Sequence, residues 1–508
     1  MRKGILLPIF LIVSSAFAQK DSPDLDMMAK IRDEGMNHSQ VMDIVFNLTD
    51  ANGPRLMQSP GYFKAAKWAK LKLSSWGLEN SNLEIFGKWG KGWELEKYYL
   101  AMTAPYYKPL IGFPKTFSSG TNGLANAEVI LLRVKDSSEL ISYRGKLKNK
   151  MLIIERPDSL KLGFAPDAIR YSDNQLHTLA DYDPKTPVTA DAAAANATLT
   201  AQASARLLAQ VKKFALGENA LGIMTTSLRN SDGTIFVQNG IAYNVEMQPT
   251  LNDISISYED FMTMQRLLQH QIPVSIDLEL RTKIYSDDQQ GYNVIAEIPG
   301  SDNNLKEQLV MLGGHLDSWQ GSTGATDNAA GSAVMMEAVR ILKTLGVKPR
   351  RTIRIVLWGG EETGRHGSIN YVKNHFTDTT TNRYNAAGDK LSVYFNLDNG
   401  TGKIRGIFLQ GNAAAKPVFE QWFQPFHDLG ASTLSLQNTG GTDHLAFDAI
   451  GLPAFQFIQD PMEYGSRTHH SNMDNYDHLS AEDLKQAATI IAAFVYDAAQ
   501  REEKIPRK

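Results

Sequence analysis

From residue 291 onward, apolar runs of strand length alternate with longer segments of helical periodicity. A helix is predicted at 329–345, after the first of these runs. The runs are rich in Val, Ile, Leu and Phe, as buried strands are, and predict strands at 308–312, 353–358, 391–397, 404–409 and 454–458. Strands that alternate with helices form α/β folds. The carboxyl-terminal half of the chain is therefore predicted to be an α/β domain.

Acidic and histidine side chains follow these predicted strands directly. The segment "WGGEETGRHGS" places two glutamates just after the 353–358 run, and "VYFNLDNG" places an aspartate after the next run. Open α/β sheets bind ligands at the carboxyl ends of their strands. Clustered carboxylates repel one another and take up protons unless a cation holds them. We therefore predict a metal site formed from His315, Asp317, Asp327, Glu361, Glu362, Asp398, His469 and His470.

The ligand types indicate which metal this site would hold. Mixed nitrogen and oxygen ligands favour zinc, with cobalt or manganese as alternatives. The chain has no cysteine, which is the ligand that structural zinc sites use most often. The set also holds more ligands than the three that one catalytic zinc needs. Two ions that share a bridging carboxylate would use the whole set, activate water and polarise a carbonyl.

Each candidate also has a simpler interpretation when it is taken alone. The adjacent glutamates could be a solvated pair, because glutamate is mostly exposed, and Asp327 could cap the helix that follows it. Asp317 and Asp398 could be turn residues, and the two histidines could lie in an exposed loop. Their repeated occurrence at successive strand ends favours the metal site over these separate explanations.

The first half of the chain has a different pattern. Apolar residues at helical spacing run through 36–77, with Gly77 as the predicted stop. Further on, the short apolar runs "EVILLRV", "KMLIIERP" and "ALGIMTTS" are separated by turn residues and indicate a β-rich module. An alanine-rich segment, "ADAAAANATLTAQASARLLAQVKKFALG", is predicted to be part loop and part helix. The module closes at "PVSIDLELRTKIYS", whose period-two alternation predicts an exposed edge strand.

The amino terminus and the net charge indicate where the protein acts. Arg2 and Lys3 precede an apolar stretch that ends in a small-x-small pattern at 16–18. Cleavage is therefore predicted before Gln19, and the protein is predicted to be secreted or periplasmic. An uncleaved anchor is the alternative, although the stretch is short for a membrane span. The net charge of −3 lacks the basic bias of nucleic-acid-binding proteins, so we expect no nucleic-acid partner. No later segment predicts a membrane span.

Six motifs resemble, in the same order, those of the M28 family of co-catalytic zinc peptidases, in its carboxypeptidase Q-like branch. They are "GGHLDSW", "TGATDNAAG", "WGGEETGRHGS", "NLDNGTG", "GGTDHLAF" and "HHSNMD". The resemblance implies an α/β fold, a mixed-sheet zinc-exopeptidase (phosphorylase/hydrolase-like) sandwich with an inserted β-rich protease-associated domain. It implies a signal peptide at 1–18, a first part of the peptidase domain at 19–120, the insert at 121–285, the metal-binding peptidase domain at 286–500 and a tail at 501–508.

The resemblance also implies a role for each metal ligand. His315 and Asp398 correspond to ligands of one zinc ion, and Glu362 and His470 to ligands of the other. Asp327 corresponds to the carboxylate that bridges both ions. We prefer His470 to the neighbouring His469 because the family's ligand directly precedes Ser or Thr.

Further residues have implied roles around the ligands. Glu361 resembles the general base, and Asp317 resembles the carboxylate that orients His315, as metal-bound histidines require. Asp443 and His444 occupy a motif that the family places near its substrate pocket, with His444 as a candidate for a purely structural role. The inserted module has two interpretations, a protease-associated domain or a generic β insertion that only shapes access.

The predicted reaction is hydrolysis of small peptides by metal-activated water, with Glu361 passing the water's proton to the leaving amine. Peptides with a free amino terminus, dipeptides first, are the expected substrates, and a homodimer is a candidate assembly. A glutaminyl cyclase-like single-zinc acyltransferase is one alternative, against which the presence of both His315 and Asp398 argues. A noncatalytic M28-like binding ectodomain is another, against which the complete ligand set argues.

Overall fold

A computed structural model describes residues 22–186, 192–238 and 251–508 of the chain. The predicted signal peptide at 1–18 lies outside the described residues. The strands of the described residues are β1 (Glu79–Lys88), β2 (Gly92–Ala104), β3 (Lys108–Pro109), β4 (Gly112–Pro114), β5 (Ala125–Leu132), β6 (Met151–Ile154), β7 (Gly222–Thr225), β8 (Asn252–Ile256), β9 (Ser275–Tyr285), β10 (Gln290–Ile298), β11 (Leu309–His315), β12 (Thr352–Trp358), β13 (Thr377–Asp378), β14 (Arg383–Tyr384), β15 (Leu391–Asn396), β16 (Ile404–Phe408), β17 (Thr433–Ser435) and β18 (Ala454–Gln459).

The α-helices are distributed along the same described ranges. They are α1 (Leu25–Asn37), α2 (Val41–Leu48), α3 (Pro60–Ser75), α4 (Asp173–Ala180), α5 (Ala192–Gly217), α6 (Tyr258–Gln269), α7 (Ala330–Thr344), α8 (His366–His375), α9 (Ala386–Asp389), α10 (Lys416–Phe423), α11 (His444–Asp448) and α12 (Ala481–Gln500). Within these ranges, no helix combines the length and hydrophobicity that crossing a bilayer requires.

One eight-stranded mixed sheet carries the strands predicted in the second half of the chain. Its order is β1-β10-β12-β11-β15-β18-β16-β17. The central strands β12, β11, β15 and β18 run parallel to one another, whereas β1, β10 and β16 pair in antiparallel fashion. The predicted mixed α/β fold is therefore confirmed.

This sheet is buried on both faces, which explains its continuous apolar runs. In β11, Val310 and Leu312 point into one apolar cluster, and Met311 points into another on the opposite face. Helices α1, α2, α3, α7, α10 and α12 contribute to the first cluster, and α8 and α11 to the second. The sheet is thus the middle layer of a three-layer α/β/α sandwich.

The helical region predicted at 36–77 consists of two helices, α2 and α3, with an intervening turn. Ser59 caps α3, because its hydroxyl accepts a hydrogen bond from the backbone N–H of Tyr62 at 3.2 Å, and Pro60 is the first helical residue. Gly77 follows the helix at φ +81°, a left-handed conformation that glycine adopts without a Cβ penalty. The predicted stop at Gly77 is therefore correct.

A second eight-stranded sheet has the order β3-β2-β9-β5-β6-β7-β8-β4. The edge position predicted for β9 is wrong, since β9 lies between β2 and β5. Its alternation arises because Ile276, Leu278 and Leu280 face the apolar core of this sheet, while the residues between them are less buried. Strands β2 to β4 belong to this sheet although they precede residue 121, so the boundaries of an inserted domain stay a prediction.

Candidate metal centre

The predicted site residues meet at the carboxyl edge of the parallel strands. His315 is the last residue of β11, and Asp398 follows β15. Glu361 and Glu362 follow β12 after a turn at Gly360, whose φ of +75° lies in the left-handed region that favours glycine. Parallel strands place their carboxyl ends on one side of a sheet, so residues far apart in sequence become neighbours here.

Two helical turns bring the remaining residues to the same edge. The turn Ala325–Ala329 contains Asp327 and leads into α7. The turn Tyr464–Thr468 lies beyond β18 and is followed at once by His469 and His470.

Asp327 lies between two histidines. Its Oδ1 atom is 3.2 Å from Nε2 of His315, and its Oδ2 atom is 3.1 Å from Nε2 of His470. Nε2 of His315 is also 3.2 Å from Oδ1 of Asp398, and Nε2 of His470 is 3.0 Å from Oε2 of Glu362. We call His315, Asp398 and Asp327 the first half-site, and Glu362, His470 and Asp327 the second half-site. One carboxylate joins the two.

The five side chains are held away from solvent. His315 is 1 % exposed and Glu362 is 2 % exposed, whereas His470 is 15 % exposed. Oε1 of Glu362 is buried and has no hydrogen-bond partner among the described residues. Burying an ionised carboxylate oxygen without a partner costs on the order of several kcal/mol of folding free energy, at least as much as losing a hydrogen bond to a charged group. This oxygen is therefore available to a cation.

The electrostatics of the site also fit a cation. Burial raises the pKa of the Glu362 carboxyl to about 8, and the charge of Asp327 adds to that shift. Burial opposes protonation of His470, but the carboxylates of Glu362 and Asp327 outweigh it and raise its pKa to about 10. Carboxylates and imidazoles that compete for protons in this way are the ligand types that divalent zinc binds. The residues present thus fit a divalent metal.

Asp317 supports the site through contacts that differ from the predicted one. Nδ1 of His315 lies 2.9 Å from the backbone oxygen of Asp317 and 3.7 Å from its Oδ1. An N–H at Nδ1 that donates to this carbonyl leaves Nε2 as the ligand atom. The Asp317 carboxylate accepts hydrogen bonds from the backbone N–H groups of Glu361 at 3.1 Å and Glu362 at 3.3 Å. Asp317 thus fixes the turn that carries both glutamates.

His469 and His470 occupy different positions relative to the carboxylates. Nε2 of His469 is 3.8 Å from Oδ2 of Asp327, and its ring centroid lies 3.7 Å from that of His470. Burial lowers the pKa of His469 to about 4. Both histidines belong to one candidate ligand group with Asp327, but His470 contacts Glu362 as well. The assignment of His470 as the ligand stays a prediction, and this contact favours it.

A pocket of about 430 Å³ opens onto these residues. Glu361 lines it, and burial raises the pKa of the Glu361 carboxyl well above its usual range. Asp443 and His444 are buried and are not among the residues that line the pocket: the Asp443 carboxylate accepts a hydrogen bond from Ser368, and His444 lies 2.8 Å from the side chain of Gln410. The structure thus places His444 in a buried polar contact. The residues that line the pocket are Asp327, Glu361, Glu362, Gly364, Arg365, Asp398, Asn399, Gly440, Gly441, Thr442, Tyr464, His469 and His470.

The sequence patterns missed two residues that hold the backbone around Asp327 in place. Asp474 is buried and accepts hydrogen bonds from the backbone N–H groups of Thr326 at 2.5 Å and Asp327 at 3.2 Å. Arg55 is buried and donates to the backbone oxygens of Leu316 and Gly324 at 2.7 and 2.8 Å. The motif "HHSNMD" ends on Asp474, so a signal for that residue was present, whereas nothing near Arg55 indicates its role.

A mixed α/β fold with buried histidines and carboxylates at the carboxyl edge of its sheet defines a class of metal-dependent hydrolases. Comparison with known proteins identifies the class more closely. Residues 293–495 match peptidase family M28. The predicted resemblance to this family is therefore confirmed for residues 293–495, and the protein is a peptidase.

Relatives of known sequence include carboxypeptidase Q from Homo sapiens, which is 27% identical over 463 residues, 91% of this chain and 85% of that protein. Aminopeptidase YwaD from Bacillus subtilis is 32% identical over 231 residues, 44% of this chain and 48% of that protein. Among solved structures, a peptidase M28 precursor from Shewanella amazonensis is 25% identical with a TM-score of 0.68, covering 95% of this chain and 98% of that one. The zinc aminopeptidase BSAP from Bacillus subtilis shares the fold, with 21% identity, a TM-score of 0.55, and 92% and 96% coverage.

Proposed function

We propose that the protein is a co-catalytic zinc exopeptidase that hydrolyses small peptides, with one ion in each half-site. The observation that carries this proposal is the position of Asp327, whose two carboxylate oxygens face the Nε2 atoms of His315 and His470 at 3.2 and 3.1 Å. A carboxylate placed in this way can bridge two cations, and each half-site adds one further carboxylate. Imidazole and carboxylate ligands suit zinc.

Bound zinc ions supply Lewis acidity, which activates water at neutral pH and stabilises negative charge on a carbonyl oxygen. The chain itself supplies the proton carrier. Glu361 lines the pocket, and its backbone N–H donates a hydrogen bond to Asp317. This contact fixes the backbone from which the Glu361 carboxylate extends beside the ligands. Burial raises its pKa, which suits a group that takes a proton from water and holds it for the leaving amine.

Arg365 suggests which peptides the pocket accepts. It lies four positions after Glu361. Among the described residues that line the pocket, it alone is an Arg or a Lys. Its backbone oxygen accepts a hydrogen bond from Ser368 at 3.3 Å, whereas its guanidinium has no ion-pair or hydrogen-bond partner within the described part of the chain. A guanidinium binds a carboxylate in bidentate fashion. We propose that Arg365 binds the terminal carboxylate of a short substrate, which makes free dipeptides the preferred class.

The test is hydrolysis by the purified, zinc-loaded protein of four matched substrates: a free dipeptide, its N-acetyl form, its C-terminal amide, and the corresponding aminoacyl anilide. We expect the free dipeptide to be cleaved fastest, the amide more slowly, and the N-acetyl form least. Equal rates for the anilide and the free dipeptide would favour an aminopeptidase that ignores the carboxyl terminus. One ion per chain together with no hydrolysis of any of the four would contradict the proposal.

We also propose that the protein is exported and cleaved before Gln19. Arg2 and Lys3, the apolar stretch and the small residues at 16–18 support this proposal. Amino-terminal sequencing of the exported protein should begin at Gln19, and an exported form that begins at Met1 would contradict it. A homodimer stays a prediction, and sedimentation analysis would test it.

A further inference from the structure

The loop that carries the site histidines is paired with a segment of the other sheet. We call residues 465–472 the histidine loop, and residues 229–238, which lie between β7 and β8, the connecting segment. The backbone N–H of Val237 donates to the backbone oxygen of His470 at 2.7 Å, and the N–H of Asn472 donates to the oxygen of Ile235 at 3.0 Å. Phe236 and Ser471 form an antiparallel bridge between these two contacts. The two segments thus form a short antiparallel ladder.

Side chains strengthen this pairing. The guanidinium of Arg229 donates to the backbone oxygen of His469 at 3.0 Å, and it lies 4.3 Å from the centre of the Phe236 ring. The Phe236 ring is in turn 5.8 Å from the ring of His470. The backbone of His470 has a φ of +59°, a left-handed conformation that is uncommon outside glycine and needs surrounding contacts to hold it. The connecting segment provides those contacts.

The connecting segment is itself fixed to the second sheet. The side-chain amide of Asn230 donates to the backbone oxygen of Ile256 in β8 at 2.9 Å. The hydroxyl of Ser255, also in β8, donates to the backbone oxygen of Phe236 at 2.8 Å. The backbone N–H of Thr116 donates to the backbone oxygen of Gln238 at 3.3 Å. The histidine loop is therefore fixed through the connecting segment to β8, in addition to its contact with the turn that carries Asp327, where the hydroxyls of Thr326 and Thr468 lie 2.9 Å apart.

Gln238 makes the most specific of these contacts. The Nε2 atom of its side-chain amide lies 2.7 Å from Nδ1 of His470, on the side of the ring opposite to Asp327 and Glu362. An imidazole that offers Nε2 to a cation carries its proton on Nδ1. Rotating the Gln238 amide by 180° exchanges its nitrogen and oxygen in nearly the same positions. The N–H at Nδ1 of His470 then donates to the amide oxygen of Gln238. Gln238 is thus placed to fix both the tautomer and the orientation of the ring.

We infer that Gln238 is a positioning residue for His470, and that the second sheet is a working part of the metal site rather than a module that only shapes access. This inference rests on the proposed role of His470 as a zinc ligand. Partners of this kind typically change metal affinity by roughly 10–100-fold when they are removed. The effect should fall on the ion of the second half-site, because His315 has its own partner in the backbone oxygen of Asp317.

The test compares zinc binding by the wild type with that of Gln238→Met and Gln238→Glu. Methionine keeps the volume and removes the acceptor, so one of the two ions should bind roughly 10–100-fold more weakly, while the other is unchanged. Glutamate keeps an acceptor for the Nδ1 proton, so its affinity should equal or exceed that of the wild type. Affinity is measured by competition with a chromophoric chelator, and stoichiometry by elemental analysis, so neither reading depends on activity.

Gln265→Met is the matched control. Gln265 is also a buried amide that packs beside the second sheet, but it accepts a hydrogen bond from the backbone N–H of Arg156 at 3.0 Å and donates to the backbone oxygen of Arg156 at 2.8 Å. Its loss should leave both zinc affinities unchanged. If Gln238→Met does not fold, Gln238→Asn replaces it, because the amide one methylene shorter falls short of Nδ1 and should show the same selective loss.

Three results would overturn the inference: wild-type affinity for both ions in Gln238→Met, equal weakening of both ions, or failure of Gln238→Glu to restore binding. A wild type that binds only one zinc would contradict the two-ion proposal instead. In that case the zinc affinity of Gln238→Met is compared with that of His470→Ala. If His470→Ala weakens binding of the single ion and Gln238→Met does not, the inference about Gln238 is still refuted.

Discussion

The adjacent glutamates after β12 should respond differently to the same substitution. Glutamine at either position keeps the shape of the side chain and removes its charge. The turn itself should survive both changes, because Asp317 holds it through the backbone N–H groups of Glu361 and Glu362 at 3.1 and 3.3 Å. Any difference between the two variants therefore reports on the side chains.

Glu361→Gln should lose catalysis and keep zinc. Glu361 lines the pocket, whereas Glu362 lies against the ring of His470, so the proposed work of Glu361 is proton transfer. Loss of a general base typically costs roughly 10²–10⁴-fold in rate, which at about 1.36 kcal/mol per tenfold is about 2.7–5.4 kcal/mol of transition-state stabilisation. The value of kcat on a free dipeptide should fall by that factor, and added zinc should not restore it.

Glu362→Gln should instead lose zinc. Oε2 of Glu362 is 3.0 Å from Nε2 of His470, and its Oε1 is buried without a hydrogen-bond partner among the described residues. A neutral amide is a poor zinc ligand, so the second half-site should weaken and activity should return in part with excess zinc. Elemental analysis and kcat are measured on both variants after circular dichroism has shown that each is folded.

Two results would refute this reasoning. If Glu361→Gln loses zinc while Glu362→Gln keeps it and turns over normally, the two roles are reversed. If neither substitution changes kcat or zinc content, the pair is a pair of partly buried carboxylates without a role in the reaction, and the proposed site is wrong.

Three further predictions address the other parts of the site. Asp327→Asn should lose both zinc ions and activity, because both half-sites share that carboxylate; elemental analysis that still finds two ions would contradict this. Arg365→Met should raise KM for free dipeptides by roughly 10–100-fold, the cost of a charged hydrogen bond, and leave KM for their amides unchanged. After chelation, the melting temperature should fall as pH rises from about 4.5 to 8, because a carboxyl such as Glu362, whose folded pKa is about 8, binds its proton more tightly in the folded chain and loses that stabilisation on deprotonation. Added zinc should reduce this slope in a fluorescence-based melting assay.

The main sheet could be predicted from sequence because its signals are local. A strand buried on both faces produces a continuous apolar run, so the runs that became β11, β12, β15, β16 and β18 stand out from their surroundings. The parallel arrangement of β11, β12, β15 and β18 follows from the helices between them. Once these strands are parallel, polar residues at their carboxyl ends must meet, and His315 and Asp398 of the first half-site occupy such positions.

The second sheet could not be predicted to the same degree. Strand β9 has the alternation of a strand with one less buried side, and this pattern does not distinguish an edge strand from a central strand that is buried on one face only. Its neighbour β2 begins at Gly92, far from β9 in sequence. Pairing between distant strands depends on the whole topology, which local periodicity does not contain.

The two half-sites differ in the same way. His315 in β11 is oriented by a carbonyl only two residues along the chain, so its sequence neighbourhood contains what it needs. His470 is held by Gln238, 232 positions away, and the histidine loop takes its backbone partners from the connecting segment. The motif around His470 therefore predicts a ligand but not the contacts that orient it. The second half-site depends on the mutual position of both sheets, whereas the first half-site depends on the main sheet. We therefore expect substitutions in the second sheet to alter metal binding at the second half-site even when they change no ligand.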